Sequence, residues 1–476
     1  MKRALSGVSE PLNPNALPYA VPHSALPGAV WPAVPSDAAS RLLALQLQFE
    51  QSQWWPPEVI KARQFEQLQQ VLAHAQRTVP FYGPRLAAAG FDPRVALNRE
   101  LWSRIPIMTR RDVQSGREAL TSRAIPPAHG TVREVTTSGS TGRAITILAT
   151  EVYGIVWQAI TLREHFWHRR DLSAKLAVIR SGAADGADYP EGLALPSWGP
   201  PTDLAYRTGP GAILNTSCDI ADQAEWLARQ DPDYLLTTAT RALELARHCR
   251  RTGVALSRLR QVRTYGEALA DDLRGQCRET WGVPVVDMYS SQEIGYMALQ
   301  CPLHEHYHVQ SENLLMEILD EQGHPCRENE IGRIVVSTLH NFATPLIRYE
   351  IGDYAEAGGA CPCGRGLPVL KRIMGRVRNM LRMPGGRARW PNFMLAKGHK
   401  DLPIAQIQIV QTALDALELR AVPERPFSAQ EQARLLEYIR DWAGPQFNVR
   451  VRVVDAIPRG PGGKFEEFMS LIEDDA

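Results

Sequence analysis

Four short apolar, β-branched runs, Leu176–Ile179, Tyr234–Thr237, Val262–Tyr265 and Val283–Met288, are separated by stretches of helical periodicity such as 222–230 and 240–252. Strands spaced this far apart do not pair as tight hairpins. They need crossovers, so the alternation predicts an α/β core with parallel strands. Open sheets of this kind gather ligands at the carboxyl ends of their strands. Two of those ends are polar: Gly266-Glu267-Ala268 after the third run, and Tyr289-Ser290-Ser291-Gln292-Glu293 after the fourth. Glu293, an acid directly behind an apolar strand, is a candidate ligand residue rather than a plain solvated turn carboxylate.

Upstream, strand-like Val132–Val135 and Ile145–Ile147 flank Thr136-Thr137-Ser138-Gly139-Ser140-Thr141-Gly142. Glycines here permit positive φ and close approach, so backbone N–H groups and hydroxyls can surround a polyphosphate. An ordinary hairpin loop is the competing reading. The stretch is not the common phosphate loop, because no Lys follows Gly142 and no helix start is evident.

The 53 Lys+Arg against 52 Asp+Glu leave no global field to steer nucleic acid or an anionic membrane, so anion binding has to be local. No apolar run reaches membrane-spanning length, and the basic start Met1–Gly7 lacks the apolar stretch of a secretory signal. Seven cysteines, mostly scattered, suit a reducing cytoplasm better than a disulfide framework. At 476 residues the chain has room for several domains.

Residues 1–36 are rich in proline and read as an extended or loosely attached arm. Helical patterns follow from Ala38 and from Ile60. Thr109 is placed to cap a short helix after Ile105–Met108. Residues 151–168 form an amphipathic helix carrying Tyr153, Trp157, Phe166 and Trp167. Residues 314–319 and 333–338 read as paired strands ahead of Arg348-Tyr349-Glu350-Ile351-Gly352-Asp353. From Arg378 onward, strands at 405–411, 416–423 and 448–454 and a helix opened by a Ser428/Glu431 capping box describe a small α+β domain. It ends in Gly462-Gly463-Lys464.

Cys301-Pro302-Leu303-His304-Glu305-His306-Tyr307-His308 and Cys361-Pro362-Cys363-Gly364 supply three thiols and an imidazole. That set suits a closed, structural, tetrahedral Zn²⁺ site spanning 301–363, with His308 or His306 as the fourth donor. Two unrelated turns with free thiols are the plainer reading.

The order of these features, with His-Ala-x-x-x-Val-Pro-Phe-Tyr (74–82) and Ile-Pro-Ile-Met-Thr-Arg-Arg-Asp (105–112), resembles the adenylate-forming acyl-CoA synthetase superfamily, and within it the phenylacetate–CoA ligase-like branch. The resemblance covers roughly 60–470. It implies a large N-terminal adenylate-forming domain (37–377) with mixed/parallel sheets and a small mobile α+β lid (378–476). It also implies ATP, Mg²⁺ and coenzyme A as cofactors, and a carboxylic acid, aromatic by the helix at 151–168, as substrate. Thr137, Ser138, Gly139, Ser140, Thr141 and Gly142 would hold the phosphates; Gly266, Glu267, Ala268 and Tyr289 would bracket adenine. Glu293 would hold Mg²⁺, Asp353 the ribose, and Arg376 the ribose or phosphates. Lys464 would bridge the acyl carboxylate and α-phosphate, with Arg378 as the hinge. The branch's Cys-to-His spacing selects His308 as zinc ligand.

Three positions depart from the family pattern: Arg143-Ala144 in place of Lys-Pro, Gln292 in place of Ser/Thr, and Arg378 in place of Asp or Lys. Two other outcomes fit the same residues. An adenylating ligase could pass its acyl group to an amine or carrier protein, or the chain could be a nucleotide-binding scaffold that has lost catalysis. A homodimer is the candidate assembly.

Overall fold

A computed structural model describes residues 22–137, 144–183, 185–376, 380–383, 388–389, 402–458 and 468–472. Strands β1 (Val132–Thr136) and β2 (Thr146–Thr150) form an antiparallel pair flanking the Thr/Ser/Gly loop, in the register Thr136↔Thr146. The helix Glu151–Trp167 follows at once, its first turn capped by the Thr150 hydroxyl.

The expected parallel core is present. β3 (Leu176–Arg180), β5 (Gly211–Asn215), β6 (Tyr234–Thr238), β7 (Gln261–Tyr265) and β8 (Val285–Ser291) lie side by side in the order β8-β7-β6-β3-β5, all parallel. The short β4 (Leu193–Leu195) closes one edge in antiparallel fashion. Beyond β8 the sheet continues antiparallel through β9 (Gly295–Gln300), β10 (Tyr307–Val309), β14 (Val369–Arg376), β13 (Tyr349–Ala357), β12 (Ile331–Thr338) and β11 (Leu314–Leu319). The sheet is therefore mixed, and the change of direction falls at the β8–β9 turn that carries Glu293.

Both faces of the parallel part are covered, as parallel sheets require. On one side the helices Ile220–Gln230 and Ala239–Thr252 seal Ala177, Leu235 and Val262 completely. On the other, the helices Asp37–Ser52 and Glu151–Trp167 bury Leu176, Tyr234, Met288 and Tyr296. Residues 22–36 are pinned at their start rather than loose: Pro22 bridges to Tyr206, and the His23 amide donates to the Ala205 carbonyl at 2.9 Å.

The C-terminal strands Ile404–Ala413, Ala416–Pro423, Asn448–Val453 and Phe468–Ser470 make a separate four-stranded sheet. The helix Ala429–Ala443 packs on it and starts at the expected Ser428/Glu431 capping box. Gln406 donates to Glu244 at 2.8 Å and Arg251 pairs with Glu424 at 3.3 Å, joining this unit to the large one. Among the described residues no helix is long and apolar enough to cross a membrane.

Candidate active site

The β8–β9 turn is held from the helix Glu151–Trp167: the Tyr153 hydroxyl donates to the Gln292 carbonyl at 2.6 Å. Gly295 closes the turn at φ +86°, and a Cβ there would sit 3.3 Å from the Trp157 ring, so glycine is needed twice over. Glu293 is thereby fixed almost wholly out of solvent, 2 % exposed. Its nearest cation is Arg110, with Nη1 at 3.9 Å from Oε1, beyond hydrogen-bond length. The carboxylate retains lone pairs for another partner.

Arg110 opens the short helix Arg110–Ser115, whose start is fixed by a Thr109/Asp112 capping box. The segment before it is tied to the sheet: the Met108 amide donates to Arg348 O, and the Glu350 amide to Met108 O, each at 2.8 Å. Arg348 also donates to Ile105 O at 2.7 Å, which locks the approach. Arg110 is thus delivered to Glu293 by backbone pairing across more than two hundred residues of sequence. Its Nε and Nη1 are buried without a hydrogen-bond acceptor among the described residues.

On the other side of Glu293, β13 and β14 place Asp353 opposite Arg376. Arg376 Nε lies 3.4 Å from Asp353 Oδ1, and the Tyr289 hydroxyl donates to Asp353 Oδ2 at 2.7 Å. Burial opposes ionisation of Arg376, but Asp353 and then Glu293 outweigh it and raise its pKa. Tyr289 is driven up by burial and by the Asp353 charge, so it stays a neutral donor. The register Tyr265↔Met288 sets Gly266 next to Tyr289 at adjacent strand ends. Gly266 has φ +77°. Glu267 turns away from the crevice: its carboxylate accepts from the Thr240 amide at 2.9 Å and hydroxyl at 2.8 Å, capping the helix Ala239–Thr252.

A second cluster lies where β10 meets the loop before β14. One donor atom each from Cys301, His308, Cys361 and Cys363 falls within 4.8 Å of the others. Cys301 Sγ and Cys361 Sγ are 3.9 Å apart, close to the ~3.8 Å separation that two ~2.3 Å Zn–S bonds make at a tetrahedral angle. His308 directs Nδ1 toward Leu367 O at 3.4 Å, leaving Nε2 facing the thiols. His306 instead places Nε2 2.9 Å from Cys361 Sγ.

Known proteins share the fold that carries these residues. The CapK C-terminal domain family matches residues 392–470. A phenylacetate–coenzyme A ligase of Thermus thermophilus is 26 % identical over 455 residues, 87 % of this chain and 97 % of the relative. The Pseudomonas putida enzyme of the same name is 25 % identical over 340 residues, 69 % and 73 % of the two chains. A crystal structure of 2-hydroxyisobutyryl-CoA ligase in its postadenylation state superposes with a TM-score of 0.69 at 18 % identity, covering 88 % of this chain and 91 % of its own. The chain is thus similar over most of its length to phenylacetate–coenzyme A ligases and shares its fold with a solved acyl-CoA ligase.

Of the residues singled out in the sequence, the fold brings Glu293, Tyr289, Asp353, Arg376 and Gly266 to neighbouring strand ends, with Glu267 and Ala268 beside them. Thr137 stands at the base of the Thr/Ser/Gly loop: its hydroxyl accepts from the Ile145 amide at 2.9 Å and its amide donates to Ile145 O. Ser138, Gly139, Ser140, Thr141 and Gly142 lie outside the described residues, as do Lys464 and Arg378. Arg110 was not anticipated as a site residue. Thr109-Arg110-Arg111 shows two neighbouring arginines, and only the pairing with β13 decides that Arg110 turns inward while Arg111 is exposed.

Proposed function

We propose that this ligase uses ATP to convert a carboxylic acid, of aromatic type, into an acyl-adenylate and then passes the acyl group to coenzyme A. The observation that carries the reading is the buried, open-sided Glu293 carboxylate flanked by Arg110 and Arg376 at the sheet's change of direction. Attack of a carboxylate on the α-phosphate brings anions together, so its barrier is set by how well charge is neutralised. Arg110, with two N–H groups lacking acceptors, supplies donors for the polyphosphate. Asp353, already oriented by Tyr289 and Arg376, accepts from ribose hydroxyls.

A single carboxylate with free lone pairs beside a phosphate site is the usual protein share of a Mg²⁺ shell, and Glu293 fits it. Mg²⁺ would stabilise charge on the departing pyrophosphate. Lys464 is assigned to the acyl carboxylate and α-phosphate, and Arg378 to the hinge of the lid. The Cys₃His set has no open position and fits a structural Zn²⁺. Purified protein should contain about one zinc per chain, with Cys361→Ser losing it and its thermal midpoint falling.

The central experiment is carboxylate-dependent pyrophosphate release over a panel of aromatic and aliphatic acids, followed by addition of coenzyme A. Release that needs an acid, then thioester formation, is the expected outcome. ATP binding without release from any acid would refute the assignment. Lys464→Ala should abolish release while ATP binding persists.

A further inference from the structure

The two faces of the parallel sheet are not covered equally. Val178, Leu236 and Arg263 form one row across β3, β6 and β7 on the face toward the helix Glu151–Trp167. One step further along, on the same face, come Arg180, Thr238 and Tyr265. Central parallel strands are normally sealed, yet Val178, Leu236 and Tyr265 are only half-buried, as is Trp157 on the helix Glu151–Trp167, which packs against the same core. The opposite face at the same level, Ala177, Leu235 and Val262, is completely closed. The partial exposure of the first face points to an opening between helix and sheet beside the Gly266–Tyr289 strand ends. It is walled by an indole, a phenol and two aliphatic side chains, which suits a flat ring.

The polar groups around this space are donors. Arg180, at the exposed end of β3, has no hydrogen-bond or ion-pair partner among the described residues. Thr238 Oγ1 is buried and unbonded, and so is Arg263 Nε. Behind them, one carboxylate, Glu164, is shared by two guanidinium groups, Arg170 and Arg263, and the neighbouring His165 and His168 add no negative charge. Burial raises the Tyr265 pKa, and the charges of Arg180 and Arg241 act against that rise. Buried donors without acceptors are costly unless a ligand supplies the acceptor. β3 lies two strand spacings, about 10 Å, from β7, a distance that an arylcarboxylic acid with one further substituent spans.

We propose that the crevice selects an aromatic carboxylic acid bearing an oxygen substituent, hydroxyl or second carboxylate, on the ring end remote from the activated carboxylate, and that Arg180 and Thr238 bind that oxygen. The proposal rests on the acid-activating function above.

The test compares phenylacetate with its ring-hydroxylated and ring-carboxylated analogues in ATP-dependent pyrophosphate release, in the wild type, Arg180→Ala and Thr238→Val. Wild-type kcat/KM should be at least about tenfold higher for an oxygenated acid than for the parent. Arg180→Ala should reduce that ratio about tenfold, and Thr238→Val by a smaller factor. Arg180 is exposed, so its removal does not endanger folding. Preference for the hydroxyl or for the carboxylate identifies which oxygen is read. A parent acid used equally well, or a ratio unmoved by Arg180→Ala, would overturn the inference while leaving acid activation standing. No release from any acid in the wild type would remove both.

Discussion

Two buried glutamates sit at opposite ends of the helix Glu151–Trp167, and they are treated differently. Glu164 is wholly buried and saturated: Arg170 grips both oxygens, and Arg263 donates to Oε2 at 2.6 Å. Burial works against its ionisation, but Arg170 and Arg263 outweigh it and hold its pKa well below the usual carboxylate range. Glu293, buried nearly as deeply beyond the other end, has one arginine at 3.9 Å and nothing closer among the described residues. The first is a joint between helix and sheet. The second lacks such partners among the described residues, as the proposed ligand role requires, and burial alone would not separate them.

The comparison is broken most forcefully at Glu164. Glu164→Gln removes one partner of a buried ionic cluster and leaves two guanidinium groups facing each other, so urea unfolding should show a loss of about 3–5 kcal/mol. Equal stability would show that Arg170 and Arg263 find other acceptors. At Glu293 the cost should appear in chemistry instead. Glu293→Gln should lower kcat for pyrophosphate release by about a hundredfold, roughly 3 kcal/mol, with the thermal midpoint nearly unchanged. If stability fell and turnover did not, the two glutamates would be of one kind.

Acid should act on the saturated cluster first. His165 and His168 are pushed down by burial and by the two arginines, His168 to about 4, with Glu164 pulling the other way. The folded chain thus resists protonation that the unfolded chain accepts near pH 6.5. Stability should be at its plateau above that value and decline as pH falls from about 6.5 toward 4, by at most about 3 kcal/mol for His168. Thermal midpoints measured across this range check it, and His168→Gln should flatten the slope. The smallest effect is expected at Arg110. Arg110→Ala should raise KM for ATP about tenfold, in keeping with loss of a charge-assisted contact, as steady-state kinetics would show.

Much of the framework is local and was legible in order. Strand positions at Tyr234, Val262 and Leu314, the caps at Thr109 and Ser428, and the cysteines of the knuckle follow from periodicity, side-chain capping and ligand spacing. Each depends on residues a few positions apart. Glu267 shows where such reading stops. Its place after β7 marks the Gly-Glu-Ala turn, but not that the carboxylate caps a neighbouring helix through Thr240, twenty-seven residues earlier.

The chain's own order of residues settled the α/β class and the small C-terminal α+β unit, because backbone propensity and hydrophobic period act over one or two turns. The tertiary structure decided which of two adjacent arginines faces Glu293, that Tyr289 and Arg376 converge on Asp353 from different strands, and that one sheet face is left unsealed beside Arg180. Those outcomes depend on strand register and on which helix covers which face. Register is fixed by contacts between segments far apart in the chain, and no short window of sequence contains both partners.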